Sequence, residues 1–397
     1  MNRHTRSSCA NRLPALDLLR LLAALSVVLF HYTFRGWAAD GYTHVHLPAL
    51  ISWTKYGARG VSLFFVISGF VIAYSAAGRA AQEFAMARIV RLYPTFVFCM
   101  TLTFAVTLLF GMPPFTGSLQ QWLANLAIAA PALGQPYMDG AYWSIVAEIT
   151  FYAWMALFIA AGLFPRYLAQ LSFVWLAITL LNVTVIHSGA VERIFLTEVS
   201  GFFAAGLLLY EIFFRQSSST GWMLLIAATL IAAFQTIEAA SWSRAHYAVE
   251  FSSAVITALC VASVVLVALA IQVRRLPLNA PLVAALGGLT YPLYLLHQHV
   301  GYIIFNRSEG VVPDWLLVSV VIALMLTLSW AVWRFVEPKG QSLARRLLSD
   351  AAIGALSWRT SLPLFGQSAA QAMIGTEDSG HAALGADALE AVPPPGV

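Results

Sequence analysis

The sequence predicts an all-α membrane protein, a bundle of about ten transmembrane helices with both termini on the cytoplasmic side. Three observations carry this reading. Hydrophobic residues make up 60% of the 397 and charged residues only 10%, where an ordinary soluble domain carries about 25% charge. The apolar residues gather in runs close to the ~20 that a helix needs to cross the hydrocarbon core. Lysines and arginines stand mainly at the edges of those runs, as topology signals do. With a mean hydropathy of +0.76, a water-soluble fold could not bury the apolar surface, so the bilayer has to solvate most of it. The isoelectric point near 9.0 raises nucleic acid as a partner, but the arginines form no single basic patch, which argues against it.

In chain order the spans are 16–34, 61–77, 92–110, 142–163, 171–187, 194–214, 222–237, 251–273, 286–305 and 315–335. The first has a competing reading. Arg3, Arg6 and Arg12 ahead of an apolar stretch resemble a secretory leader. Asp17 and Arg20 fit such a leader poorly, and nine more spans follow. A stretch at 119–131 is apolar but too short to cross, and is expected to lie at the interface or re-enter. With the N-terminus inside, fifteen Lys and Arg fall on the inner side and six on the outer, Arg20 lying within the first span, which accounts for all 22. That bias sets both ends inside. Two outer segments, 35–60 and 111–141, are long enough to carry function. The second is rich in Pro and Gly and holds one acid, Asp139. The chain thus divides into a membrane domain, 1–346, and a tail, 347–397, rich in Ala, Gly and Ser and ending near three prolines, which is expected to be disordered in the cytoplasm. Cys9, Cys99 and Cys260 are odd in number and fit no metal spacing, so neither a disulfide framework nor a metal site is expected.

Ionisable groups inside spans are costly, and each is a candidate for function. The first span holds Asp17, Arg20 and His31. Arg20 and His31 are eleven residues apart, about three turns plus roughly 20°, so they share a face some 16 Å apart. Asp17, at i−3, can pair with Arg20. One stripe therefore carries an ion pair near the cytoplasm and a histidine near the outer surface. The plainer reading of the same residues is an interfacial arginine and a hydrogen-bonded core histidine. The fourth span opens with Tyr142, Trp143 and Ser144 and carries Glu148 about one and a half turns further on. If that span starts at the outer face, Glu148 lies at the depth of His31 and would fix its tautomer. Alternatively Trp143, Ser144 or backbone satisfies it. His297 and His299, two apart, face different directions on the ninth span, so that one lines a cavity and the other meets the surface. Arg88 and Arg91 are i, i+3 neighbours able to hold a phosphate or simply to anchor the inner leaflet. A proton-coupled carrier of a polar molecule or sugar would use the same residue types, although no inverted repeat or pair of broken helices is visible.

Five motifs in order resemble the acyltransferase-3 family of integral membrane acyltransferases. They are Arg20-x10-His31 within ALDLLRLLAALSVVLFH, GVSLFFVISGF at 60–70, Arg88-x-x-Arg91 followed by Leu92-Tyr93-Pro94, YWSIVAEITFY at 142–152, and YPLYLLHQ at 291–298. The resemblance covers about residues 13–340. Leu18 and Leu21 stand where the family often has Gly, no second Glu follows Glu148, and no SGNH hydrolase-like domain is appended. The resemblance implies a multi-pass protein of the bacterial inner membrane that moves an acyl group, usually acetyl, from cytoplasmic acyl-CoA to a hydroxyl of a carbohydrate-containing acceptor at the outer face. In that scheme Arg88 and Arg91 meet the CoA phosphates, and Arg20, held by Asp17, lies further along the donor path. His31 is the general base, oriented by Glu148. Tyr142, Trp143, Ser144 and His297 contact substrate. Ser62, Ser68 and Ser144 are the hydroxyls available should an acyl-enzyme form.

Overall fold

The computed structural model describes residues 13–128, 130–247, 249–273 and 276–361, and all regular structure among them is helical. The chain divides into a bundle, residues 1–345, and a C-terminal unit, 346–397. In order the helices are α1 (Pro14–Phe30), α2 (Pro48–Thr54), α3 (Arg59–Ala76), α4 (Ala81–Phe110), α5 (Leu119–Leu126), α6 (Trp143–Ala160), α7 (Leu168–Leu181), α8 (Gly189–Phe195), α9 (Ser200–Phe214), α10 (Ser219–Tyr247), α11 (Ser253–Ala270), α12 (Ala280–Arg307), α13 (Asp314–Ala331) and α14 (Glu337–Ser361). Three of them run on into π-helical turns, at His31–Ala39, Asn182–Ile186 and Val332–Val336. The tail beyond residue 361, the three N-terminal arginines and Cys9 lie outside the described residues.

Among the described residues, nine helical stretches are long and apolar enough to cross a membrane. The tenth expected span, 286–305, lies in α12. That helix has the length, but Thr290, Tyr291, Tyr294, His297, Gln298 and His299 lower its hydropathy. It can carry them because it is the hub of the bundle, packed against α1, α4 and α13. Large apolar side chains remain exposed around the periphery, among them Leu109, Val185, Leu230 and Trp315, as a lipid-facing surface requires.

Two packing cores organise the bundle. One joins α3, α9, α10 and α11, with Phe70, Phe203, Leu208 and Cys260 fully buried. The other joins α1, α4, α12 and α13 around Tyr32, Met100, Leu295 and Phe305. In lipid, association between helices depends on close packing rather than on hydrophobic exclusion of water, and α3 and α9 approach most closely at Gly69 and Gly206. A Cβ at Gly206 would lie 2.2 Å from the Val66 carbonyl oxygen and 2.6 Å from the Phe70 nitrogen, and one at Gly69 would lie 2.3 Å from the Phe203 oxygen. Neither position can hold a side chain without driving the backbones apart.

The segment between α4 and α6 folds back into the bundle. The eight-residue α5 in the short apolar stretch is tied to it by Asn125, whose Oδ1 accepts from Met138 N (2.9 Å) and whose Nδ2 donates to Pro136 O (3.0 Å). Asp139 is fully buried and accepts from Ala141 N and His299 N, each at 2.8 Å. Tyr142 donates to Leu295 O (3.2 Å), near the middle of α12. As a result α6 starts inside the bundle rather than at its surface.

Candidate active site

A cavity of about 410 Å³ lies where the two cores meet. α1 supplies Asp17 and Arg20, α3 Phe64 and Ser68, α4 Arg88 and Arg91, α6 Ser144, Glu148 and Tyr152, α12 Tyr291 and Tyr294. Trp333 and Glu337 come from the start of α14 and the turn before it. The heptad-like spacings in the sequence explain the convergence. Arg88 and Arg91 are one turn apart on α4, as are Glu148 and Tyr152 on α6 and Tyr291 and Tyr294 on α12, so each helix delivers two polar groups to one side.

The polar groups are layered along the axis of the bundle. At one end Arg20 Nη1 lies 3.4 Å from Asp17 Oδ1, the pair expected from the sequence. Asp17 packs on Gly287 of α12, where any Cβ would fall 2.7 Å from its Cγ. Arg91 Nη1 lies 3.6 Å from Glu337 Oε1, and Gln341 donates to the same oxygen (2.8 Å). The Arg88 guanidinium stands 5.8 Å over the Phe84 ring, and its buried Nε has no hydrogen-bond partner among the described residues. An orphaned cationic donor of this kind is costly to leave unmade and suits an anionic ligand. In the next layer Glu148 accepts from Ser68 (3.2 Å) and, in a very short hydrogen bond, from Tyr152. Above it Ser144 Oγ and Tyr294 Oη are 2.7 Å apart.

His31 and His297 occupy the layer beyond. His31 is 5% exposed and His297 fully buried. His297 Nδ1 faces two carbonyl oxygens, of Tyr294 (2.8 Å) and Leu293 (3.2 Å). These can only accept, which assigns the proton to Nδ1 and leaves a lone pair on Nε2. That lone pair lies 3.1 Å from His31 Nδ1, which also lies 2.9 Å from Val27 O. Both contacts require a proton on His31 Nδ1. His31 Nε2, which makes no hydrogen bond among the described residues, therefore holds the free lone pair. The pair is fixed from behind. Tyr32 donates to the His297 carbonyl (2.7 Å) and Tyr302 to that of His31 (3.1 Å). His31 also begins a π-helical segment, a departure from α geometry that recurs at functional sites.

Glu148, expected beside His31, is held by Ser68 and Tyr152, while His31 meets Val27 O and His297. From Ser144 to Glu148 the helix descends about 6 Å, and from Tyr294 to His297 it rises about 4.5 Å, so the two layers lie roughly 10 Å apart. The expectation placed the start of the fourth span at the outer face; Ser144, in the first turn of α6, stands beside Tyr294 of α12. His299 is partly exposed, its ring held by Met138 O (2.7 Å) and its backbone N–H by Asp139 (2.8 Å). Of the four residues expected to contact substrate, Ser144 lines the cavity and His297 backs it. Tyr142 is buried against α12, and Trp143 packs on Phe65 with 40% of its surface exposed. Among the three serines, Ser68 and Ser144 reach the cavity and Ser62 does not. Tyr152, Tyr294 and Glu337 are cavity residues that the sequence reading missed. The first two were legible, since they stand one turn from Glu148 and His297. Glu337 follows the last span and has no local signal of its own. No group of three or more metal-ligating side chains occurs among the described residues.

Acyltransferase MdmB of Streptomyces mycarofaciens is 31% identical over 150 residues, 36% of this chain and 38% of that protein, so the likeness spans well under half of the relative's length. No solved structure matches the chain. A family model described as an acyltransferase domain matches residues 13–334, from the start of α1 into the turns before α14, and the chain therefore belongs to the acyltransferase-3 family of multi-pass membrane acyltransferases.

Proposed function

We propose that the protein transfers an acyl group, most simply acetyl, from cytoplasmic acyl-CoA to a hydroxyl of a carbohydrate-containing acceptor at the outer face of a bacterial inner membrane. The arginine end of the cavity faces the cytoplasm and binds the donor, with Arg88 and Arg91 on its phosphates and Arg20 further in. His31 is the general base. The observation that carries this reading is the pairing of His31 with His297 beyond an arginine-lined cavity. It leaves a tautomer with a free Nε2 lone pair, as a base requires. His297 takes the orienting role that the sequence suggested for Glu148. As His31 gains a proton, its Nδ1–H donates more strongly to the neutral His297, which stabilises the imidazolium. Glu148 belongs to the donor side.

The acceptor oxygen attacks the thioester carbon and its proton passes to His31 Nε2. The tetrahedral intermediate then expels the CoA thiolate, which recovers the proton from His31 as the ester forms. Family membership decides for an enzyme over a carrier. The test is His31→Ala in purified protein, with CoA binding followed by titration and acetyl-CoA turnover by free thiol release. Binding at wild-type affinity with turnover reduced by about 100-fold or more is expected. Normal turnover would refute the assignment of the base.

A further inference from the structure

We propose that the Ser144 and Tyr294 hydroxyls form the oxyanion stabiliser of the transfer reaction, a role that rests on reading the cavity as the donor site. Both side chains line the cavity. Tyr294 is also the lining residue whose ring packs against the histidine pair, 5.7 Å from the His297 ring. A thioester attacked with the help of His31 has to lie at this boundary, because the donor groups are on one side of it and the base is on the other.

The hydrogen bonding there is suited to release. Ser144 Oγ and Tyr294 Oη are 2.7 Å apart, and each is 3.2 Å from the Ala141 carbonyl oxygen. Two hydroxyl protons thus serve one mutual bond and one acceptor. The proton of the mutual bond can therefore turn to a new oxygen while the other keeps Ala141 O satisfied, and the second follows only in exchange for that carbonyl. The Tyr294 ring is held edge-on by Phe64, 6.0 Å between centroids, so its hydroxyl is fixed in direction.

Ser144 lies in the first turn of α6, which continues a 3-10 turn (Gly140–Tyr142) capped by the Asp139 side chain, so the helix start is already satisfied and the two hydroxyls alone carry the role. When the acceptor oxygen bonds to the carbonyl carbon, the C=O π pair moves onto the carbonyl oxygen. The two hydroxyls donate to that oxygen until the pair returns and the C–S bond breaks.

The experiment uses Tyr294→Phe, Ser144→Ala and the double variant, with acetyl-CoA hydrolysis by water as the reaction. Each single change should lower CoA release at saturating acetyl-CoA by about 100-fold, with CoA affinity in direct titration unchanged. The double variant should fall by less than the product of the two losses, because both groups serve one atom. Unchanged hydrolysis, or a loss that appears only with an acceptor present, would overturn the assignment in favour of acceptor binding. A loss of CoA affinity equal to the loss of turnover would overturn it in favour of donor binding. If the wild-type protein binds no CoA, the donor-site reading falls, and this proposal with it.

Discussion

Replacement of His297 by Ala separates the two histidines by role. The bond from His31 Nδ1–H to His297 Nε2 is 3.1 Å long and buried. Its removal does not free the His31 ring, because Val27 O still accepts at 2.9 Å and keeps the proton on Nδ1. In the ground state the loss is that of a neutral hydrogen bond, about 1 kcal/mol, whereas with His31 protonated it is charge-assisted, about 2.5 kcal/mol. Only the difference acts on the barrier. At roughly 1.4 kcal/mol per factor of ten, His297→Ala should lower turnover about tenfold, far less than His31→Ala. CoA affinity should not change, since neither histidine lines the donor cavity. The assay is saturation kinetics in acetyl-CoA beside a binding titration on the same preparation. Combining the two changes should cost no more than His31→Ala alone. A His297→Ala protein as inactive as His31→Ala, with normal CoA binding, would refute the reasoning and make His297 itself the proton carrier.

Arg88→Ala should weaken CoA binding by tenfold or more in titration, with Arg88→Lys retaining part of it, because a phosphate accepts a point charge but loses bidentate geometry. Arg91→Ala should have the smaller effect, since Arg91 already faces Glu337. Glu148→Gln keeps a partner for Ser68 and Tyr152 but removes a negative charge from a cavity read as binding phosphates. CoA should bind a few-fold tighter and turnover at saturating donor should stay near wild type; a severe fall in turnover would return Glu148 to the chemistry. Gly206→Ala sets a Cβ 2.2 Å from the Val66 carbonyl oxygen, and should lower the thermal stability of the purified protein in detergent by several degrees, at a cost of about 1–3 kcal/mol. A variant as stable as wild type would mean that α3 and α9 can separate freely.

Spans and motifs were legible because they depend on local pattern. Apolar runs define helices wherever they pack, and a spacing such as Arg20 to His31 already fixes a shared face. What could not be read was depth. Where α6 begins depends on how residues 111–142 return into the bundle, and that return is made by contacts far apart in sequence, such as Tyr142 with Leu295 and Asp139 with His299. Starting that helix at the surface put Glu148 level with His31. Starting it beside Tyr294 puts Glu148 among the arginines. Likewise two neighbouring histidines gave no clue which would meet His31. The answer lies in α1 and α12 running side by side, a contact across 266 residues.

α12 also bears on how the protein is assembled in the membrane. Its polar side chains make it a poor candidate to leave an insertion channel alone and settle in lipid, where each unpaired polar group is costly. Its partners α1, ending at Phe30, and α4, ending at Phe110, are synthesised long before α12 starts at Ala280, and α13 follows from Asp314. α12 is thus inserted into a cleft that earlier helices have prepared. The histidine pair forms at that step, late in biogenesis, so a lesion in α1 that spoils the cleft will register as failed insertion of a helix made much later.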